Sequence, residues 1–130
     1  MKLLVDTHVW LWMLAAPERL NESTRAAIVN PESETVLSVA SAWEVAIKHA
    51  LGKLPLNNPP SRLLDVSVRE LKLIVLPIAL DHALAAASLP PLHKDPFDRM
   101  LVAQAQVGGL TLVTADAMIP RYGGAVMWAT

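Results

Sequence analysis

The feature that most constrains this chain is the repeated switch of its hydrophobic periodicity between short β-type runs and longer helical stretches. Five runs read as strands: Lys2–Val5, Thr35–Val39, Leu73–Leu76, Leu110–Thr114 and an edge strand at Ala125–Trp128. The stretches between them carry helix starts and stops. Helices are expected from Thr7 to a stop at Pro17-Glu18, from an Asn21 N-cap through Val29, and from Ser41 to about Leu51, with Gly52 as the stop. Three more are expected from about Ser61 to Leu71, from Asp81 to Ser88, and from Asp95-Pro96 to about Val107, ended by Gly108-Gly109. A short helical turn is expected near Asp116–Ile119. Leu54–Ser61 and Leu89-Pro90-Pro91-Leu92 must be loops, because their prolines remove amide donors and push the preceding residues out of the helical region. With no internal repeat and no linker, this alternation predicts a single α/β domain over residues 1–130 with a mostly parallel sheet.

Composition supports that reading and removes several function classes. A chain of 130 residues, 53% of them hydrophobic, can bury roughly 65–70% of its unfolded surface without covalent or metal staples. The absence of cysteine excludes a disulfide scaffold, a cysteine zinc site and a thiol nucleophile. The longest apolar run, Val9–Ala16, falls well short of the roughly 20 residues that span a bilayer, and Asp6 and His8 interrupt any signal-peptide core. A cytoplasmic location is therefore expected. Eleven basic against twelve acidic residues do not make a protein that coats nucleic acid by bulk charge. They leave room for a local site where acids converge.

Four acids fall at equivalent places. Asp6 follows the first strand, Glu44 is expected in the first turn of the helix after the second, Asp98 lies in the first turn of its helix, and Asp116 stands two residues beyond Thr114. In an open parallel sheet, ligands bind beyond the carboxyl ends of the strands, so these side chains can meet in one crevice. Unit charges 4 Å apart repel by roughly 4 kcal/mol at an effective dielectric of about 20. Shared protons could relieve that repulsion, but hard divalent cations with oxygen ligands fit better, and in such a site they support phosphodiester hydrolysis.

Each acid also has a purely structural explanation. Ser41-x-x-Glu44 is a capping-box pattern, Asp98 could serve only the helix dipole behind an Asp95 N-cap, and Asp116 could cap the short turn after it. Asp6 is hardest to explain this way, since a carboxylate straight after Leu3-Leu4-Val5 is partly buried and needs a partner. Structural roles for single residues do not explain why all four acids occupy one end of the sheet.

Four ordered blocks, LLVDTHVWLW (3–12), SVASAWEVAIKHALGKL (38–54), HKDPFDRMLVAQA (93–105) and LVTADAMI (112–119), resemble the PIN-domain ribonucleases, specifically VapC-type toxins of toxin–antitoxin pairs. The resemblance implies a three-layer α/β/α domain and an acidic site for one or two Mg²⁺ or Mn²⁺ ions. By position, Asp6, Glu44, Asp98 and Asp116 would be the acidic quartet and Thr114 the hydroxyl that orients them. Asp98 is preferred to Asp95 as third ligand because Asp95 has a complete role as N-cap. The implied reaction is attack of a metal-activated water on an RNA phosphodiester, leaving a 5′-phosphate and a 3′-hydroxyl. The implied partners are RNA, an inhibitory VapB-type antitoxin and a second copy of the chain.

Lys48, Lys94, Arg99 and Arg121 are the candidates for holding RNA phosphates, with Arg99 first because it adjoins Asp98; Lys48 could instead be a salt-bridge partner of Glu44. Trp10, Trp12 and Trp43 could serve a partner surface or simply the core. His8 and His93 could touch RNA or remain on the surface, and neither is assigned a catalytic role. The different-class alternative is a catalytically silent PIN-fold module that binds RNA or protein. Retention of four mutually repelling acids speaks against it.

Overall fold

The computed structural model describes residues 1–130. At the centre of its sheet lies β1 (Lys2–Val5), flanked by β2 (Glu34–Ser38) and β4 (Thr111–Thr114), with β3 (Ile74–Leu76) and β5 (Val126–Trp128) at the edges. Every pairing is parallel, so the sheet is wholly parallel in the order β3-β2-β1-β4-β5. The chain builds outward from β1 through β2 to β3, then returns to the other side of β1 for β4 and β5. The topological switch point therefore lies between the carboxyl ends of β1 and β4.

The connections are α1 (Thr7–Ala15), α2 (Glu22–Val29), α3 (Val39–Ala50), α4 (Pro60–Arg69), α5 (Leu80–Ser88) and α6 (Pro96–Gly108), with 3₁₀ turns at Pro17–Arg19 and Ile119–Tyr122. Alternate residues of β1 serve opposite faces, as the pleat requires. Leu3 and Val5 pack with Val9, Trp10, Leu37, Val45 and Val113 in one core layer, joined by side chains of α2 and α4. Leu4 packs with Val36, Leu112 and the α6 residues Leu101, Val102 and Ala105 in the other. Two buried layers around one sheet make the α/β/α arrangement. Fully buried Trp10 belongs to the core, and its indole N–H donates to Ser67 Oγ at 2.8 Å.

The structure corrects the start of α3. The strand stops at Ser38, whose hydroxyl accepts from Ala40 N at 3.0 Å, and the helix is under way from Val39. Ser41 is thus inside the helix, Glu44 lies in its second turn, and no capping box forms there. The last helical turn is also displaced, beginning at Ile119 instead of Asp116. At α6 the start is as expected: Asp95 Oδ1 accepts from Phe97 N at 2.8 Å, Pro96 opens the helix, and Gly109 ends it at φ 64°.

Candidate metal centre at the switch point

The end of β1 delivers the first acid. Asp6 N–H donates to Val113 O at 3.0 Å, continuing the ladder with β4, while Asp6 Oδ1 accepts from Val9 N at 2.8 Å and caps α1. Asp6 Oδ2 accepts from Thr114 Oγ1 at 2.5 Å. Burial raises the Asp6 pKa, against the opposing pull of the Thr114 and Val9 hydrogen bonds. Thr114 Oγ1 in turn accepts from Asp116 N at 3.0 Å, so one buried hydroxyl aligns the first and fourth acids.

Asp116 holds its own turn, with Oδ1 accepting from Met118 N at 2.8 Å, while Oδ2 lies 2.7 Å from His93 Nε2. Burial alone would raise its pKa, but the His93 and Met118 hydrogen bonds outweigh it and the net shift is downward. Asp98 Oδ2 lies 3.2 Å from the same His93 nitrogen. Burial, then the charge of Asp95, pushes the Asp98 pKa up to about 7, with His93 working in the opposite direction. Ligand atoms of His93, Asp98 and Asp116 all fall within 4.8 Å of one another.

Glu44 is 3% exposed and reaches the same end of the sheet from α3. It accepts from Thr7 Oγ1 at 2.7 Å and pairs with Lys48 Nζ at 2.5 Å. The Glu44 hydrogen bond raises the Lys48 pKa, against the effect of burial. Lys48 is therefore a salt-bridge partner first, with its side chain partly exposed.

Arg99 does not face the site. Consecutive helix residues point about 100° apart, and the Arg99 side chain leaves α6 in a different direction from Asp98. The Arg99 guanidinium donates to Ala86 O, Leu89 O and Pro90 O at 2.9–3.0 Å, tying α6 to the end of α5 and the loop after it. The guanidinium expected to hold RNA phosphates is here engaged as a structural clamp. Lys94 and Arg121 are exposed and make no ion pair.

Two further residues join the cluster: His93, which the sequence left between an RNA contact and the surface with no catalytic role, and Thr7, which it did not single out. His93 is held at several points: its N–H donates to Tyr122 Oη at 2.7 Å, and its Nδ1 accepts from Asp95 N at 3.1 Å. Because Nδ1 accepts, the ring proton of the neutral imidazole is on Nε2, facing Asp98 and Asp116. Burial disfavours the charged ring, but the Asp116 hydrogen bond and the charges of Asp98, Asp116 and Asp95 raise its pKa overall. A metal-ligating imidazole normally donates its other N–H. Here that nitrogen faces a donor, so His93 is arranged to give a hydrogen bond to the carboxylates. The available signals were its place two residues before the Asp95 N-cap and, for Thr7, a hydroxyl directly after Asp6.

This donor set fits a hard divalent cation. It offers the carboxylates of Asp98 and Asp116 on either side of His93, with Asp6 joined to the Asp116 turn through Thr114, and hydroxyl and imidazole donors that orient them.

The model of the PIN domain family matches residues 3–125. Ribonuclease VapC16 of Mycobacterium tuberculosis is 38% identical over 68 residues, which cover 52% of this chain and 46% of that protein's length. Solved structures share the fold. VapBC2 from Rickettsia felis, bound to a promoter DNA fragment, superposes with a TM-score of 0.76 at 13% identity over 100% of both chains. DNA-bound VapBC from Salmonella typhimurium gives 0.70 at 21% identity, covering 98% of this chain and 97% of that one. FitAcB from Neisseria gonorrhoeae gives 0.67 at 22%, covering 97% and 96%.

Proposed function

The chain belongs to the PIN domain family, and from that premise we propose that it is a metal-dependent endoribonuclease, the toxin of a toxin–antitoxin pair, hydrolysing RNA in the cytoplasm. The observation that carries this reading is the convergence of Asp98 and Asp116 on His93 at the carboxyl end of the sheet, with Asp6 tied to the Asp116 turn through Thr114, Glu44 close enough to act on Asp98, and an Asp98 pKa of about 7. Desolvated carboxylates that repel one another are stable at neutral pH only with a cation or a proton.

Asp6, Asp98 and Asp116 would hold one or two Mg²⁺ or Mn²⁺ ions, with Glu44 supplying further negative charge. A bound ion supplies Lewis-acid activation of water and neutralises charge on the phosphoryl oxygens. The chain's residues do the positioning. Thr114 fixes the Asp6 carboxylate, His93 spans Asp98 and Asp116, and Thr7 and Lys48 hold Glu44 in its buried orientation. Hydrolysis forms a bond from water oxygen to phosphorus and breaks the bond to the 3′-oxygen, leaving a 5′-phosphate and a 3′-hydroxyl. Lys94 and Arg121 are free to hold phosphates on the rim.

The proposed partners are a VapB-type antitoxin that blocks the site and a second copy of the chain. Exposed apolar surface at Ile74, Val75, Leu80 and Leu84 supports such contacts. The test is incubation of purified, partner-free protein with a random-sequence RNA pool. Cleavage is expected with Mg²⁺ or Mn²⁺, to be abolished by chelator and by Asp6→Asn. Undiminished cleavage by that variant or in excess chelator contradicts the mechanism, and a fully metal-loaded protein that cuts nothing favours the silent binding module.

A further inference from the structure

A pocket of about 260 Å³ opens beside the acid cluster, lined by Asp6, His8, Trp12, Ala115 and Asp116. Two of its walls are the acids at the ends of β1 and β4; the others include two aromatic rings from α1. His8 and Trp12 stand at i and i+4, on one face of the helix, and therefore project together. Their ring centroids are 6.3 Å apart and tilted by 46°, so they form an open wedge and are not stacked on one another. Arg19 lies over the Trp12 ring, with its guanidinium carbon 4.6 Å from the centroid. That guanidinium is exposed and forms no ion pair.

Trp12 packs only in part against the core layer of Val9 and Trp10. Trp10, two residues earlier on the same helix, is fully buried and hydrogen-bonded, whereas Trp12 is only half-buried and has no hydrogen-bond partner for its indole. A half-exposed π-surface carrying a guanidinium that pairs with no carboxylate, and opening onto Asp6 and Asp116, matches the chemistry of a single-stranded nucleotide: a planar base, a flanking phosphate and exocyclic amino donors.

Resting on the ribonuclease reading, we propose that the His8–Trp12 wedge is a nucleobase subsite. It stacks the base of one nucleotide adjoining the scissile phosphate while Arg19 holds a neighbouring phosphate, and it sets the base preference at that position. Stacking on an aromatic side chain is worth roughly 1–3 kcal/mol per base, or about 5- to 150-fold in affinity.

The experiment sequences the ends produced from a random-sequence single-stranded RNA pool by wild type, Trp12→Leu, Trp12→Phe and Arg19→Gln. Trp12→Leu is expected to flatten base preference at one position beside the cut, lower kcat/KM about 10-fold or more, and leave other positions unaltered. Trp12→Phe should retain most of the preference, and Arg19→Gln should lower kcat/KM without changing it. An abasic nucleotide at that position in a well-cut oligonucleotide should cost wild type the same factor and cost Trp12→Leu nothing further. Circular dichroism and thermal melting establish that each variant is folded. An unchanged cleavage profile in folded Trp12→Leu, or a loss that adds to that of every abasic position, overturns the proposal. So does a Trp12→Leu variant that cuts RNA normally but loses affinity for a protein partner. A wild-type protein that cleaves no RNA under any metal condition defeats the ribonuclease reading itself, an outcome separate from failure of the subsite.

Discussion

Thr114 Oγ1 donates to Asp6 Oδ2 at 2.5 Å, joining residues 108 apart in sequence at the point where the sheet changes direction. This single hydroxyl proton orients a carboxylate that burial would otherwise leave without a donor on that oxygen. Replacing it with the near-isosteric Thr114→Val should cost about 1–3 kcal/mol of stability, the price of an unsatisfied buried acceptor, and should also lower kcat. Thr114→Ser should restore most of both. Chemical denaturation with parallel cleavage assays checks this; a Val variant with unaltered stability and rate would show that the hydroxyl orients nothing.

Asp98 carries a pH signature in the metal-free protein. Its folded pKa, about 7, lies above the ordinary value of 3.8. Its contribution to stability is therefore fully present below the ordinary pKa and is lost as pH rises through 7. In chelator, Asp98→Asn should be more stable than wild type at pH 8, by on the order of 1–3 kcal/mol, and the gap should close toward pH 4. Adding Mn²⁺ should stabilise wild type more than the variant. Asp98→Asn should also damage cleavage far more than Asp95→Asn, whose wild-type carboxylate is spent on Phe97 N and Asp98 N. The reverse ranking would move the metal role to Asp95.

His93 should act as a donor to the carboxylates. With Mn²⁺ bound, pulsed electron paramagnetic resonance should show no directly coordinated imidazole nitrogen. His93→Ala should weaken Mn²⁺ binding about 10- to 100-fold, the usual effect of losing an outer-shell partner, and His93→Gln should recover part of that loss through its amide N–H. A nitrogen coupling present in wild type and absent in His93→Ala would make His93 a ligand.

Arg99 is expected to be a stability residue. Its guanidinium satisfies three carbonyls at the end of α5 and in the loop leading to His93. Arg99→Gln should lose about 1.5–3 kcal/mol of stability, in line with hydrogen bonds from a charged group. The salt dependence of RNA binding should not change, because no phosphate contact is removed. A shallower salt slope in a variant of normal stability would restore Arg99 to the RNA path.

Much of this arrangement could be read from the chain because local signals and global topology agree. Leu3-Leu4-Val5 is apolar on both faces, as a central parallel strand must be, and Asp6 ends it abruptly. Asp95-Pro96 and Gly109 mark α6 by backbone chemistry that needs no tertiary help. The misreadings occur where two local solutions are equally good. Ser38 and Ser41 both have N-cap chemistry, and only the position of the buried β2 register selects the first. Adjacency to Asp98 points Arg99 toward the site, whereas its guanidinium bonds the carbonyls at and beyond the end of α5, which no local pattern announces. His93 sits in a proline-rich loop without periodicity, and its partner Asp116 lies 23 residues away, so no local pattern exposed the contact.

The most direct measurement is the chemical identity of RNA ends made in cells by wild type and by Asp6→Asn. Metal-assisted attack by water predicts new 5′-phosphate ends, paired with 3′-hydroxyls, at discrete sites with the wild-type chain and none with Asp6→Asn. Ends of the same kind and abundance from both proteins, or 2′,3′-cyclic phosphate ends that report attack by the RNA's own 2′-hydroxyl, would contradict a hydrolytic centre built on Asp6, Asp98 and Asp116.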